Sequence, residues 1–248
     1  MGLAVRGAGA GLRASLLLTE GALLLPSLLA ACLWSRMAGT GLGLRAPGGR
    51  ATLQAAAAGL SLWAGSLGLF ELQYTVWAPP PGFLESFWAL HQALKPHGLL
   101  DAAWSVGAIA VAPAVCEETV FRGVLLPSFR QAAGRAAAVG ATALLFSLIH
   151  VDAAAGALTF YRVPFALVLG LAFGWMRLAT GSLPLVVVAH AVLNTLTFLA
   201  APLIDPPGPT LPPARPALGL GLLAVGGLLT ALAWRGLGRR ERASGDAC

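Results

Sequence analysis

The sequence is short of charge. Asp, Glu, Lys and Arg make up only 10% of its 248 residues, where soluble domains carry about 25%. An ordinary water-soluble globule is excluded on that ground, and 57% hydrophobic residues with a mean hydropathy of +0.78 point the same way. Lysine is nearly absent: Lys95 stands alone, so the net charge of +6 rests on arginine. The arginines are scattered between apolar runs. Nucleic-acid binding would need them gathered in a patch with surface aromatics, so it is excluded as well. Cys32, Cys116 and Cys248 are the only cysteines, too few and too far apart for a disulfide framework or a zinc knuckle. No internal repeat divides the chain, and residues 1–248 read as one integral membrane domain.

What the sequence has in abundance is apolar runs. The first, Ala14–Leu33, is interrupted by Glu20 and Pro26. Within it Leu29–Ala30–Ala31–Cys32 resembles a lipoprotein cleavage box. Glu20 spoils the apolar core such a signal needs, and the run is read as a first transmembrane helix. Further runs at 51–70, 102–127, 136–151, 157–177, 183–201 and 217–234 each approach the ~20 residues that cross the hydrocarbon. The expectation is an all-α fold, a polytopic transmembrane bundle of about seven or eight helices. Gly41–Gly49, Pro79–Gly82 and residues 202–216 read as loops, and Phe83–Leu94 as an interfacial amphipathic helix. His91 and His97, flanking Lys95 and Pro96, read as parts of a polar loop.

Positive charge sets the orientation. With seven spans, one set of loops holds Arg36, Arg45, Arg50, Arg130, Arg135, Arg177, Arg235, Arg239, Arg240 and Arg242. The other set holds Arg6, Arg13, Lys95, Arg162 and Arg215, mixed with Glu71, Glu85, Asp101, Asp152 and Asp205. The richer set is expected in the cytoplasm, with the C-terminus. Arg6 and Arg13 argue the other way, which leaves an eighth span or a re-entrant segment open.

Against this apolar background Cys116–Glu117–Glu118–Thr119–Val120–Phe121–Arg122–Gly123 stands out. A charge at the bilayer centre costs at least ~2.5–3.5 kcal/mol on insertion scales. On a helix Glu118 and Arg122 share a face, acid before base, the favourable order. Glu117 points about 100° away, so one carboxylate can be neutralised while the other stays available. Phe146 with His150, and His190 with Asn194, repeat the four-residue spacing in later runs. At about 1.5 Å per residue, Glu117 and His150 lie roughly 20 Å from the arginine-rich end, and His190 and Asn194 roughly 12 and 18 Å. Hydrophobic periodicity does not require that coincidence. Taken singly, Asn194 or His150 could be interhelical hydrogen-bonding glue, and Glu118–Arg122 a structural ion pair. Glu117 resists such an explanation, having no cation of its own. Intramembrane Glu and His also mark proton relays, so a secondary transporter or proton-coupled permease is the competing class.

The three motifs Glu117–Glu118–x–x–x–Arg122, Phe146–x–x–x–His150 and His190–x–x–x–Asn194, in this order, resemble those of the CPBP family. Its members are the CAAX prenyl endopeptidases and the bacteriocin-processing or immunity (Abi) proteins. Gly170–Leu171–Ala172–Phe173–Gly174–Trp175 and Thr180–Gly181–Ser182–Leu183 add to the likeness, which spans residues 110–200 as a catalytic core. The resemblance implies an intramembrane endopeptidase on helices in a bacterial inner or plasma membrane. Its substrate would be a peptide or a prenylated protein, met in the lipid bilayer. A non-catalytic immunity or scaffold member is the other possibility within the family. Glu117 would activate water with His150; Glu118, held by Arg122, would orient the site. His190 and Asn194 would stabilise the oxyanion, and Phe146 would hold His150. A divalent metal is left open: Glu117, His150 and His190 would suit zinc, yet the HExxH spacing is missing. A metal-free site is the expectation.

Overall fold

A computed structural model describes residues 2–38, 41–151, 160–200 and 213–245. Every regular element among them is helical. In chain order they are α1 (Gly2–Ala38), α2 (Gly49–Val76), α3 (Phe83–Ala93), α4 (Leu99–Val106), α5 (Ala112–Glu118), α6 (Leu126–Leu148), α7 (Val163–Thr180), α8 (Leu183–Ala200) and α9 (Pro216–Gly245). Two π-helical turns, Gly107–Val111 and Thr119–Leu125, join α4 to α5 and α5 to α6. Gly49–Val76, Leu99–Leu148, Val163–Thr180 and Leu183–Ala200 are long and apolar enough to cross a membrane, and Pro216–Ala231 is a shorter apolar helix. The chain is an integral membrane protein with a helical bundle.

The stretch Leu99–Leu148 folds back on itself. At 1.5 Å per residue a straight rod of that length would more than double the ~30 Å hydrocarbon core. Gly134 breaks it, with φ 80° and ψ 178°, a backbone conformation open to glycine and costly for other residues. The reversal brings Phe146 back beside Phe121, ring centroids 5.3 Å apart. The returning arm, α6, then packs on α7. Small residues allow that approach: a Cβ on Gly170 would lie 2.9 Å from Ala143 Cα, and one on Gly174 would lie 3.0 Å from Val139 Cγ1.

The same device joins α2 to α9. A Cβ on Gly226 would lie 2.6 Å from Gly65 N, and one on Gly68 2.6 Å from Gly219 O. Close packing of small residues is how helices associate where lipid removes the hydrophobic drive. α1 is tied to the start of α4 by Arg13, which pairs with Asp101 at 2.9 Å and donates from Nε to Ser105 Oγ at 3.0 Å.

Two expectations need correcting. His91 is not in a polar loop: it lies in α3, buried, its Nδ1 donating to the Phe87 carbonyl at 2.7 Å and its ring against Phe87 and Phe198. Burial lowers its pKa, and the bond to Phe87 offsets this only in part. The span expected at 136–151 ends at Leu148, which leaves His150 in the turn beyond the helix. Asp152 and Asp205 fall outside the described residues.

Candidate active site

Glu117 and Glu118 close α5, and Arg122 lies within the π turn that follows. A π turn advances more residues per turn than an α-helix, so it re-aims the side chains around it. Such turns recur at functional sites. Arg122 Nη1 donates to Glu118 Oε1 at 3.0 Å, both side chains fully buried. Arg122 Nη2 donates to the Gly170 carbonyl at 2.9 Å, an acceptor that α7 can offer because glycine lets it approach so closely.

α8 brings in His190. Its Nδ1 lies 2.8 Å from Glu118 Oε1, and its Nε2 lies 3.9 Å from Glu117 Oε2. Glu118 Oε1 thus receives two donors, from Arg122 and from His190. Glu117 Oε2 is buried and has no hydrogen-bond partner among the described residues. His190 engages Glu118 Oε1 as well as Arg122 does, while Glu118 Oε2, like Glu117 Oε2, is buried without a hydrogen-bond partner among the described residues.

Aromatic rings hold this cluster in place. Phe173, fully buried, stacks on His190 with centroids 4.9 Å apart and planes 24° from parallel. The Phe146 ring lies 4.6 Å from Arg122 Cζ, 4.9 Å from the His150 ring and 6.1 Å from the His190 ring. Arginine over an aromatic face gains ~2 kcal/mol or more when desolvated. Phe146 is thus the common neighbour of all three motifs.

His150 Nδ1 donates to the Phe146 carbonyl at 2.7 Å. A carbonyl only accepts, so in neutral His150 the lone pair is on Nε2. Asn194 follows His190 by one turn of α8, half-buried, and makes no hydrogen bond among the described residues. Cys116 is buried, and Thr119 Oγ1 donates to the Val115 carbonyl at 2.6 Å, a bond local to its own helix.

Three participants escaped the reading of motifs. In the sequence Phe173 and Gly170 stand out only as parts of a family-like stretch. Glu20, taken as a flaw in an apolar span, brings a third carboxylate to the site. It is half-buried on α1, its Oε2 unpartnered, within electrostatic range of Glu117, His190 and Cys116. α1 packs on α5 and the second π turn, and Leu23, one turn further on, joins the cluster of Val120, Phe121, Phe146 and Ala166.

Among the described residues no three His, Cys, Asp or Glu side chains come together as a metal-holding group. Glu117, His150 and His190 are accordingly not drawn into a ligand set. His190 Nδ1 is already committed to Glu118, and His150 Nδ1 to Phe146.

Residues 99–196 match the family model of the Rce1-like type II CAAX prenyl endopeptidases. No match was found among the curated proteins, and none among the solved structures. The matched stretch begins with α4 and ends just past Asn194, so the buried acid–imidazole cluster and all three motifs lie inside it. Over that stretch the chain is similar to the Rce1-like type II CAAX prenyl endopeptidases.

Proposed function

We propose that this chain is an intramembrane endopeptidase in which Glu117 activates the attacking water. The observation that carries the proposal is the pair of buried carboxylates one residue apart. Glu118 Oε1 is engaged by Arg122 and His190, while Glu117 Oε2 has no hydrogen-bond partner among the described residues and faces His190 Nε2 across 3.9 Å. A structural ion pair has no use for the second acid. General-base hydrolysis has.

In the proposed cycle one water O–H bonds His150 Nε2 and the other points to Glu117. Glu117 takes that proton as the water oxygen attacks the scissile carbonyl carbon, and the C=O electron pair moves onto oxygen. His190, with protons on both ring nitrogens, donates from Nε2 to this oxyanion while Nδ1–H stays on Glu118. Glu117 and Glu118 are then balanced by Arg122 and the imidazolium. The Asn194 amide supplies the second donor. Collapse breaks the C–N bond, and Glu117 returns its proton to the leaving amine. A positioned base contributes typically ~10²–10⁴ in rate, and one oxyanion donor ~10²–10³.

The substrate proposed with this cycle is a C-terminal CAAX-type peptide, prenylated or otherwise lipid-bound, or a membrane-associated leader peptide, in a bacterial plasma membrane; the likeness over residues 99–196 supports this reading. The test is direct. Purified protein in detergent is incubated with a farnesylated peptide ending in a CAAX sequence and with unprenylated membrane leader peptides, and the products are weighed by mass spectrometry. A new C-terminus from one of them supports the proposal. Intact peptides, together with proton-coupled solute uptake by vesicles carrying the protein, would establish the transporter reading instead.

A further inference from the structure

α6 and α7 run antiparallel in a steady register. Gly174 meets Val139, Gly170 meets Ala143, and Ala166 packs in the cluster of Phe146. Each step of four residues back along α7 thus meets a step of three or four forward along α6. Continued by one rung, the register sets Arg162 beside His150. The Ala166 N–H donates to the Arg162 carbonyl at 2.9 Å, so Arg162 already belongs to the helical turn and shares the face of Ala166 and Gly170. The backbone before it is fixed too, since Gln73 Nε2 donates to the carbonyl of buried Tyr161 at 2.8 Å. Arg162 is half-buried, and its guanidinium makes no hydrogen bond or ion pair among the described residues. His150 and, on α3, His91 lie within electrostatic range of it, and among the described residues no carboxylate does. A cation is held beside the proposed site without a counter-ion.

We infer that Arg162 binds a carboxylate of the peptide substrate, either its C-terminal carboxylate or an acidic side chain a few residues beyond the scissile bond. The inference rests on the peptidase reading for its ligand, a peptide. Guanidinium pairs with carboxylate through parallel N–H donors, a geometry that orients the partner as well as attracting it. In the proposed cycle the water sits on His150 Nε2, so Arg162 flanks the point at which the peptide is cut. An extended chain advances ~3.3–3.6 Å per residue, which puts a carboxylate two or three residues beyond the cut roughly 7–11 Å from it. A long side chain on the neighbouring rung meets it at that range. A peptide cut in its middle, with no acid nearby, would leave the guanidinium unpaired; one cut close to its C-terminus would not. Arg162 is thus a specificity residue, with no task on the water or the oxyanion.

The experiment measures binding, which needs no turnover. Full-length Glu117→Gln protein in neutral detergent is titrated into a fluorescent farnesylated peptide ending in a CAAX sequence, and anisotropy gives Kd. Three forms of the peptide are compared: the free acid, its C-terminal amide, and an amide whose last residue is Glu. One carboxylate form or both should bind about tenfold tighter than the plain amide, and which one does identifies the source of the carboxylate. Adding Arg162→Gln should erase the difference, and removing an unpaired charge should not lower Tm. Arg162→Lys, which keeps the charge, should keep a preference for the carboxylate. Equal affinity for all three forms, or a preference that survives Arg162→Gln, would overturn the inference. Wild-type protein that shows the preference but leaves every peptide intact would count against the hydrolysis alone.

Discussion

Glu118 Oε1 lies 2.8 Å from His190 Nδ1, a contact between two buried side chains 72 residues apart in the chain. It joins the first motif to the third and fixes which face of the imidazole is left for chemistry. The Glu118–Arg122 pair therefore anchors His190 as well as balancing a charge. Stability and activity should then separate on substitution. Glu118→Gln leaves Arg122 buried without its counter-charge, and Arg122→Ala does the same to Glu118; each should cost ~3–5 kcal/mol, read as a large fall in Tm. The double variant Glu118→Gln/Arg122→Met removes both charges and should recover much of the stability, because apolar replacement of a whole buried pair is often neutral or better. It should not recover cleavage, since His190 has lost its charged partner. Recovery of both would show that the pair is only structural.

Phe173 stacks on the face of that imidazole. Phe173→Leu keeps most of the apolar volume and loses the ring contact, worth about 0.5–1.5 kcal/mol. Cleavage should fall by roughly two- to tenfold in kcat with little change in KM, if the ring holds His190 for the transition state. A KM effect alone, measured on the same peptide, would assign Phe173 to substrate binding.

Gly170 is a packing position and an acceptor at once. A Cβ there meets Ala143 backbone at 2.9 Å, and backbone cannot move aside as a flexible side chain can. Gly170→Val should cost about 1–3 kcal/mol through overpacking and draw the carbonyl away from Arg122. Thermal unfolding in detergent should show the loss, with cleavage reduced in the same variant. Unchanged Tm and unchanged rate would mean that α6 and α7 are not held as closely as described.

Much of this arrangement was legible in the sequence because it depends on local spacing. Glu118 and Arg122 four residues apart, His150 one turn after Phe146 and the apolar runs themselves all follow from helical periodicity. The limits were equally physical. Nothing in a 3.6-residue period announces the π turn at Thr119–Leu125. Nor does it place His190 against Glu118 in preference to the neighbouring Glu117. Glu20 looked like a defect because a lone carboxylate in an apolar run has no partner in its own helix; its neighbours come from α5 and α8. His91 was misread because polar Lys95, Pro96 and His97 follow it, whereas packing against Phe198 on α8 buries it. The segments around Asp152 and Asp205 lie outside the described residues.

The role of a metal can be decided by removing it. The proposed cycle gives each of Glu117, His150, His190 and Asn194 a task on water or oxyanion and assigns none of them to an ion. Protein purified through a metal-stripping step should keep its cleavage rate and contain well under one equivalent of zinc by elemental analysis. Stoichiometric zinc, with activity lost on chelation and restored by zinc alone, would replace Glu117 as sole activator of the water.

The most direct measurement compares wild type with Glu117→Gln on one cleavable peptide, by mass spectrometry of the products. The amide keeps the size and shape of the carboxylate but cannot accept the proton from water. Expression, detergent behaviour and Tm should stay close to wild type, because Glu117 Oε2 has no hydrogen bond to lose. Cleavage should fall by ~10²–10⁴ or more. A Glu117→Gln protein that cleaves at even a tenth of the wild-type rate would contradict Glu117 as the base, and with it the proposed mechanism.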